Sequence, residues 1–215
     1  MHQLPKIFLL LSSVLLFFSA CRYPKLNRTK NCSTEKLTSS QITPVIQSSN
    51  TIKFKANIGV MKNNFSGIVL VKQTDSLHQH IVFVNELGMK LFDFNIINNE
   101  VNATYVFEPI NKPALVDALK RNMKHLLLIG AYNKSSQKCL NENQSLFKTQ
   151  SKNHYYFFST TGKNKLQTQY VFYKKKLESK IDYTFDNNSN SYSSIFCKQQ
   201  GFGNISIELQ QLITE

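Results

Sequence analysis

Few residues in this sequence have the types and spacing needed for catalysis or metal binding. His78 and His80 stand two residues apart, so both would point to the same side of a β-strand, where they could begin a metal site. No Cys, Asp or Glu stands at a matching spacing, and motifs such as GxSxG, HExxH or GxGxxG do not occur. We therefore expect no enzyme activity, no catalytic residue, no metal and no cofactor.

Asp93 is the most conspicuous acidic residue, because it interrupts the apolar segment Leu91-Phe92-Asp93-Phe94. Our interpretation is that Asp93 lies on the polar face of a strand and pairs with a lysine of the neighbouring strand. A hydrolase built on Asp93, His78 and His80 is an alternative. It predicts that these three side chains meet in one cleft.

The N-terminal segment has the features of a secretory leader. Residues 7–20 form an apolar run that is shorter than the about 20 residues needed to span a bilayer. Small residues directly precede Cys21, which resembles a bacterial lipobox, although Phe18 stands where Leu is usual. This resemblance predicts that residues 1–20 are a lipoprotein signal peptide and that Cys21 carries acyl chains such as palmitate. The alternative is an ordinary secretory signal with a coincidental Cys.

The charge of the chain favours a membrane partner over a nucleic acid. Lys and Arg number 26 against 13 Asp and Glu, which gives a formal net charge of +13. Readers of nucleic acids rely on Arg, whose planar group binds bases and phosphates in a bidentate manner. The arginines here are only Arg22, Arg28 and Arg121. We expect no nucleic-acid partner and an attraction of the lysines to anionic lipid headgroups.

The remaining cysteines and the asparagines leave two questions open. Cys32, Cys139 and Cys197 are an odd number, so at least one thiol is unpaired if Cys21 is acylated. An oxidising compartment would permit a Cys139–Cys197 bridge, but the sequence does not establish it. Eight Asn-x-Ser/Thr sequons would be glycan acceptors in a eukaryotic secreted protein, and we keep this as a minority alternative. The sequons begin at Asn27, Asn31, Asn64, Asn102, Asn133, Asn143, Asn187 and Asn204.

The body of the chain reads as antiparallel strands around a single helix. From residue 51 onward, apolar and polar residues alternate in short segments separated by Asn- and Gly-containing turns, which indicates sequential hairpins. Apolar residues at helical spacing predict one amphipathic helix over about residues 111–129, with Asn111 as N-cap and Gly130 as its stop. Residues 131–152 read as loop. The predicted strands cover residues 52–58, 65–74, 80–86, 89–97, 101–108, 154–160, 166–176, 180–185, 191–196 and 204–212.

These patterns predict three segments and one folded domain. Residues 1–20 are the signal peptide, residues 21–50 are a lipid-anchored basic tether, and residues 51–215 form a single β-rich domain. The oligomeric state is left open.

Two strands are apolar on both faces, namely residues 68–71 and 81–84. Such a sheet must be covered on both sides or line a cavity. The segments 65–72 and 88–94, together with Ile110-Asn111-Lys112-Pro113, resemble uncharacterised outer-membrane lipoproteins of Bacteroidetes. We associate that group with the LolA/LolB-like fold.

This resemblance implies a mainly β (α+β) fold, an incomplete antiparallel β-barrel of about ten strands with a lid helix. It also implies a lipid-binding cavity, and in the LolB family a leucine on a protruding loop inserts into the membrane. The function expected from it is non-covalent binding of lipid or lipoprotein acyl chains, in lipoprotein or envelope transport, by an outer-membrane lipoprotein that faces the periplasm. The residues expected to face the cavity are Val69, Val71, Val82, Val84, Phe92, Phe94, Leu119 and Met123. The alternative is a structural or interaction lipoprotein of an envelope complex that has no ligand cavity.

Overall fold

The computed structural model describes residues 31–47, 51–75, 77–141, 144–161, 163–201 and 203–212. Cys21 and the predicted signal peptide lie outside the described residues. The described part contains one α-helix, a short 3-10 helix at Glu108–Ile110 and thirteen β-strands. The α-helix, α1, spans Pro113–Leu126. The strands are β1 Asn31–Lys36, β2 Thr51–Val60, β3 Asn63–Gln73, β4 His78–Asn85, β5 Lys90–Ile97, β6 Glu100–Val106, β7 Ser135–Asn141, β8 Gln144–Ser151, β9 His154–Thr161, β10 Leu166–Tyr173, β11 Lys176–Asp186, β12 Ser191–Gln199 and β13 Ser206–Leu212.

All thirteen strands form one antiparallel sheet, in the order β1-β7-β8-β9-β10-β11-β12-β13-β2-β3-β4-β5-β6. Two meanders, β2–β6 and β7–β13, are joined where β13 pairs with β2. Among the described residues β1 and β6 are the two edges and do not pair, so the sheet stays open. The predicted mainly β fold with an incomplete barrel and one helix is confirmed, with more strands than expected.

The core lies on one face of this sheet. Side chains alternate along each strand, and the face that packs against α1, which we call the inner face, collects the buried apolar residues. The pairing of β13 with β2 joins the two meanders within this core, because Ile207 lies opposite Ile58 and Leu209 lies opposite Ala56. The opposite face, the outer face, is turned to solvent.

Helix α1 begins at a proline and presents one apolar side to the sheet. Pro113 occupies the first helical position, where its missing N–H is not needed. The expected cap Asn111 is not used, since Lys112 occupies the N-cap position without a side-chain hydrogen bond. Beyond the helix, Gly130 adopts φ +67° and approaches Asn99 closely: a Cβ there would lie 3.1 Å from the Asn99 Cβ. A side chain at position 130 would therefore be strained.

Residues 31–47, which we expected to belong to the tether, form part of the folded domain. Strand β1 lies at the sheet edge, and the segment after it buries apolar side chains in the core. The polar sequence of β1, NCSTEK, concealed it because an edge strand with one neighbour needs few apolar residues. The buried residues are Leu37, Ile42, Val45 and Ile46.

Residues 131–152, expected to be loop, contain β7 and β8. Strand β7 reads SSQKCLN and β8 reads QSLFKTQS, so neither shows apolar alternation. On the inner face β8 contributes Phe147 together with the buried polar Thr149, whereas Cys139 of β7 lies opposite Leu146 on the other face. The hydroxyl of Thr149 donates to the Ser135 carbonyl at 3.0 Å, which compensates for its burial.

A disulfide joins the first strand to its only neighbour. Cys32 and Cys139 lie opposite each other in the β1–β7 register and are bonded, with an S–S distance of 2.03 Å. Among the described residues Cys197 is the free cysteine; it is buried, and burial raises the pKa of its thiol to about 12. The bridge considered between Cys139 and Cys197 is therefore not formed.

Candidate ligand-binding site

Six of the eight residues expected at a cavity lie on the inner face beneath or on α1. Their side chains are at most 1% exposed, and the rings of Phe92 and Phe94 stack with centroids 4.5 Å apart. On β4 the same face is formed by Ile81 and Phe83, which lie opposite Phe94 and Phe92. That these positions contact a ligand stays a prediction. The six residues are Val69, Val71, Phe92, Phe94, Leu119 and Met123.

Val82 and Val84 point to the outer face instead of the inner one. Val82 lies opposite Leu70, and Val84 lies opposite Ile68, which is 38% exposed. Because β4 is apolar on both faces, the sequence could not show which set turns inward. The doubly apolar strands are therefore not covered on both sides: these four side chains form a partly exposed strip on the outer face.

Helix α1 bridges two distant parts of the open sheet. It contacts β6, at one edge, and β12, which lies six strands away from β6 in the sheet order. Leu119 and Met123 point from the helix into the core. This placement makes α1 a cover over the inner face rather than a part of the sheet.

Polar contacts fasten α1 to the β11–β12 side. The Asn122 side-chain amide donates to Gln199 Oε1 at 2.5 Å, and the Arg121 Nε donates to Glu178 Oε1 at 3.1 Å. We call these two contacts the polar latch. Tyr183 adds a bond from β11, since its hydroxyl lies 3.3 Å from the Leu126 carbonyl at the helix end.

The space beneath α1 is filled by side chains. Large aromatic residues occupy the inner face, among them Phe83, Phe147 and Phe158, each at most 1% exposed. A cavity of about 20 Å³ lies between the C-terminal end of α1, the loop that follows it and strands β8–β10. This volume suits about one water molecule. It is far too small for an acyl chain, and we call this arrangement, with α1 against the inner face, the closed form.

The small cavity has a polar and basic lining around His125. The His125 side chain is buried, and its Nδ1 has no hydrogen-bond partner within the described residues. Burial, together with the smaller effects of nearby His154, Arg121, Lys124 and Lys134, lowers the pKa of His125 to about 3. The ring is therefore neutral at neutral pH.

Two lysines flank this cavity without an acid in its lining. Partial burial lowers the pKa of both Lys124 and Lys134, and the proximity of Lys124 lowers that of Lys134 further. Lys124 Nζ donates to the Asn99 carbonyl at 2.5 Å, and Lys134 Nζ lies 5.6 Å from the centre of the Tyr156 ring. We call this cavity and its lining the His125 pocket.

Asp93 and His80 meet on the outer face, whereas His78 does not join them. Asp93 accepts hydrogen bonds from Lys90 at 2.7 Å and Thr104 at 2.8 Å, and its Oδ1 lies 2.6 Å from His80 Nε2. Burial raises the Asp93 pKa, but these partners outweigh it and hold the pKa at about 2. The lysine partner is on the same strand, not the neighbouring one.

His78 pairs instead with Asp75, with Nδ1 and Oδ2 2.7 Å apart. The hydrolase alternative required Asp93, His78 and His80 in one cleft, and the structure does not bring the three together. The part of the chain that the structure describes holds no group of three or more His, Cys, Asp or Glu able to bind a metal ion.

Leu87 is an exposed apolar residue for which the sequence predicted no role. It lies in the turn between β4 and β5 and is 91% exposed, next to Gly88 with φ +78°. The signal was present in the sequence: the apolar Leu87 and Met89 occupy a turn together with Glu86 and Gly88. In the residues described, no helix has the length and apolarity needed to cross a membrane.

Comparison with known proteins supports the fold. No family model matches the chain, and no curated protein matches it. The crystal structure of a LolA superfamily protein from Nitrosomonas europaea aligns with a TM-score of 0.52, over 79% of this chain and 87% of that chain, at 6% sequence identity. At this identity the likeness establishes the fold alone. The chain therefore has a LolA-like fold, with one helix laid across the inner face of a large open antiparallel sheet.

Proposed function

We propose that this protein is a lipid-anchored envelope protein that binds an acyl chain of a lipid or lipoprotein between α1 and the inner face of the sheet. The observation that carries the proposal is the position of α1, which covers an apolar inner face while touching the sheet at β6 and β12. The LolA-like fold supports it. Binding is non-covalent and uses no catalytic group.

The free energy gained by burying an acyl chain exceeds the cost of releasing the polar contacts that hold α1. A chain that buries about ten methylenes gains roughly 8 kcal/mol, at about 0.8 kcal/mol each. Releasing the polar latch and the Tyr183 bond costs about 0.5–1.5 kcal/mol per hydrogen bond. The chain also replaces part of the apolar contact that α1 loses on moving. Separation of α1 from the β11–β12 side is the opening motion that this balance favours.

Two features, Cys21 and the disulfide, support a location in the envelope. A lipobox-like Cys21 would carry the acyl anchor, and the lysine-rich surface would favour anionic headgroups. The Cys32–Cys139 bridge supports an oxidising compartment such as the periplasm. We assign Leu87 as the side chain that contacts the membrane surface, because it is apolar and exposed at a turn.

Native mass spectrometry with added palmitate tests the proposal on the processed chain carrying Cys21→Ser. The account predicts a one-to-one complex. Met123→Trp, which adds bulk beneath α1, should weaken it by about tenfold or more, whereas Val82→Trp on the outer face should not. Thermal melting of both variants checks that they fold. If the unmodified chain binds neither palmitate nor any co-purifying lipid, the proposal is wrong.

The filled interior favours one second candidate, an interaction lipoprotein that serves an envelope complex without a ligand. In the closed structure the cavity at the C-terminal end of α1 has a volume of only about 20 Å³. This candidate predicts no bound lipid in the same experiment. It also predicts that cross-linking in intact cells recovers the same protein partner whether or not Met123 is replaced by Trp.

A further inference from the structure

The His125 pocket joins an apolar wall to a basic rim. Leu128 and Phe158 line it on the side of the core. Lys124, His125 and Lys134 line it as well. A pocket with apolar and cationic walls suits an amphiphile whose polar end is negatively charged.

The lining of the pocket contains two lysines and no acid. Burial is the main cause that lowers the pKa of Lys134, and the positive charge of Lys124 lowers it further. Lys124 donates to a backbone carbonyl and is partly compensated by Glu100 outside the lining, and Lys134 lies over an aromatic ring. An anion in the pocket would remove this repulsion and add charge-assisted hydrogen bonds.

His125 supplies a third, independent indication. Its side chain is only 7% exposed and lines the pocket, and its Nδ1 makes no hydrogen bond within the described part of the chain. A buried polar atom without a partner is unfavourable by about 1–3 kcal/mol. The neutral ring can carry its proton on Nδ1 and donate it to an oxygen placed in the cavity.

We propose that the His125 pocket binds an oxyanion, the carboxylate or phosphate head of the acyl ligand, through Lys124, Lys134 and His125 Nδ1. This inference rests on the proposed function and names the polar half of its ligand. The cavity admits a single oxygen-sized group in the closed form, so the head enters as α1 separates from the sheet. The chain then runs past Phe158 along the inner face.

Affinities for palmitate and for hexadecanol, which share a chain and differ in the head, test the inference. The processed chain with Cys21→Ser is compared with Lys134→Gln and with the double variant Lys124→Gln/Lys134→Gln. We expect the double variant to bind palmitate about tenfold or more weakly, and to bind hexadecanol within about twofold of the unmodified chain. Lys120→Gln is the matched control, since Lys120 pairs with Asp117 on the exposed side of the same helix. If palmitate affinity does not respond to the double variant, the inference is wrong, while the proposed function stands.

If neither palmitate nor hexadecanol binds, the proposed function is wrong. A second measurement then decides whether the His125 pocket binds an oxyanion. The His125 ring signals are then followed by NMR during titration with inorganic phosphate. A shift that saturates, and that the double variant abolishes, supports an oxyanion site for free phosphate without an acyl chain. Ring signals that do not respond to phosphate overturn the inference.

Discussion

The buried ring of His125 makes the stability of this fold depend on pH. Its pKa is about 3 in the folded chain, against about 6.5 in an unfolded one, so acid protonates the unfolded chain first. Its contribution to stability is complete above about pH 6.5 and is lost as the pH falls toward 3. Between about pH 6.5 and pH 5 we expect this group to lower the free energy of unfolding by about 2 kcal/mol.

Urea unfolding at several pH values checks this prediction. His125→Gln should show a correspondingly weaker loss of stability over the same range, whatever its stability at neutral pH. Equal pH dependence in the two proteins would mean that His125 is not buried as a neutral group.

Leu87 allows a test of the membrane contact. A leucine transferred from water into the lipid interface gains roughly 2 kcal/mol, so Leu87→Glu should weaken binding to anionic vesicles by about thirtyfold. Met61→Glu is the matched control, because Met61 is 66% exposed in the turn between β2 and β3. Co-sedimentation of the Cys21→Ser chain with vesicles measures the effect. If both substitutions weaken binding equally, added negative charge explains the loss and Leu87 has no special contact.

Single residues also show where reasoning from the sequence ends. Asp93 was recognised as a paired outer-face acid, because one acid in an apolar strand needs a partner. Its partners could not be assigned, since a β-bulge beside Asp93 shifts the β5–β6 register and His80 comes from another strand. The prediction that Val82 and Val84 face inward was wrong for a related reason. When both faces of a strand are apolar, the sequence does not show which residues point to the core.

At the scale of elements, the Cys32–Cys139 bond secures the edge strand β1. β1 has one neighbour in the sheet, and the bond closes a sequence separation of 107 residues. Replacing both cysteines by serine should lower the free energy of unfolding by about 2–4 kcal/mol. Denaturant unfolding of this variant and of the oxidised unmodified chain, both without a reducing agent, checks it. A variant as stable as the oxidised protein would show that β1 is held by its backbone pairing alone.

The elements that the sequence predicted best are those with one strongly apolar face. β2 and β3 alternate clearly because both are central strands over the core, and α1 shows a helical apolar side. The sequence did not predict β1, β7 and β8. These three strands lie at one edge of the sheet, where few inward positions need apolar side chains. The alternation of apolar and polar residues reveals a strand only where apolar side chains are buried, and these three strands bury few of them.

At the scale of the molecule, the long-range pairings could not be read from the sequence. Antiparallel hairpins follow from short turns, but nothing local indicates that β13 returns to pair with β2 or that β1 pairs with β7. The same limit applies to the candidate site. Its apolar residues were identifiable one by one, whereas the His125 pocket gathers side chains from α1, β8, β9 and β10.

A cross-link that holds α1 against β12 tests the central claim most directly. Asn122 Oδ1 lies 3.7 Å from the Sγ of the buried Cys197, so Asn122→Cys places a second thiol beside it. With the disulfide verified by intact mass, the account predicts loss of palmitate binding, recovery on reduction, and no such dependence in Asn122→Ser. Undiminished palmitate binding by the verified cross-linked protein would contradict the claim that the ligand enters beneath α1.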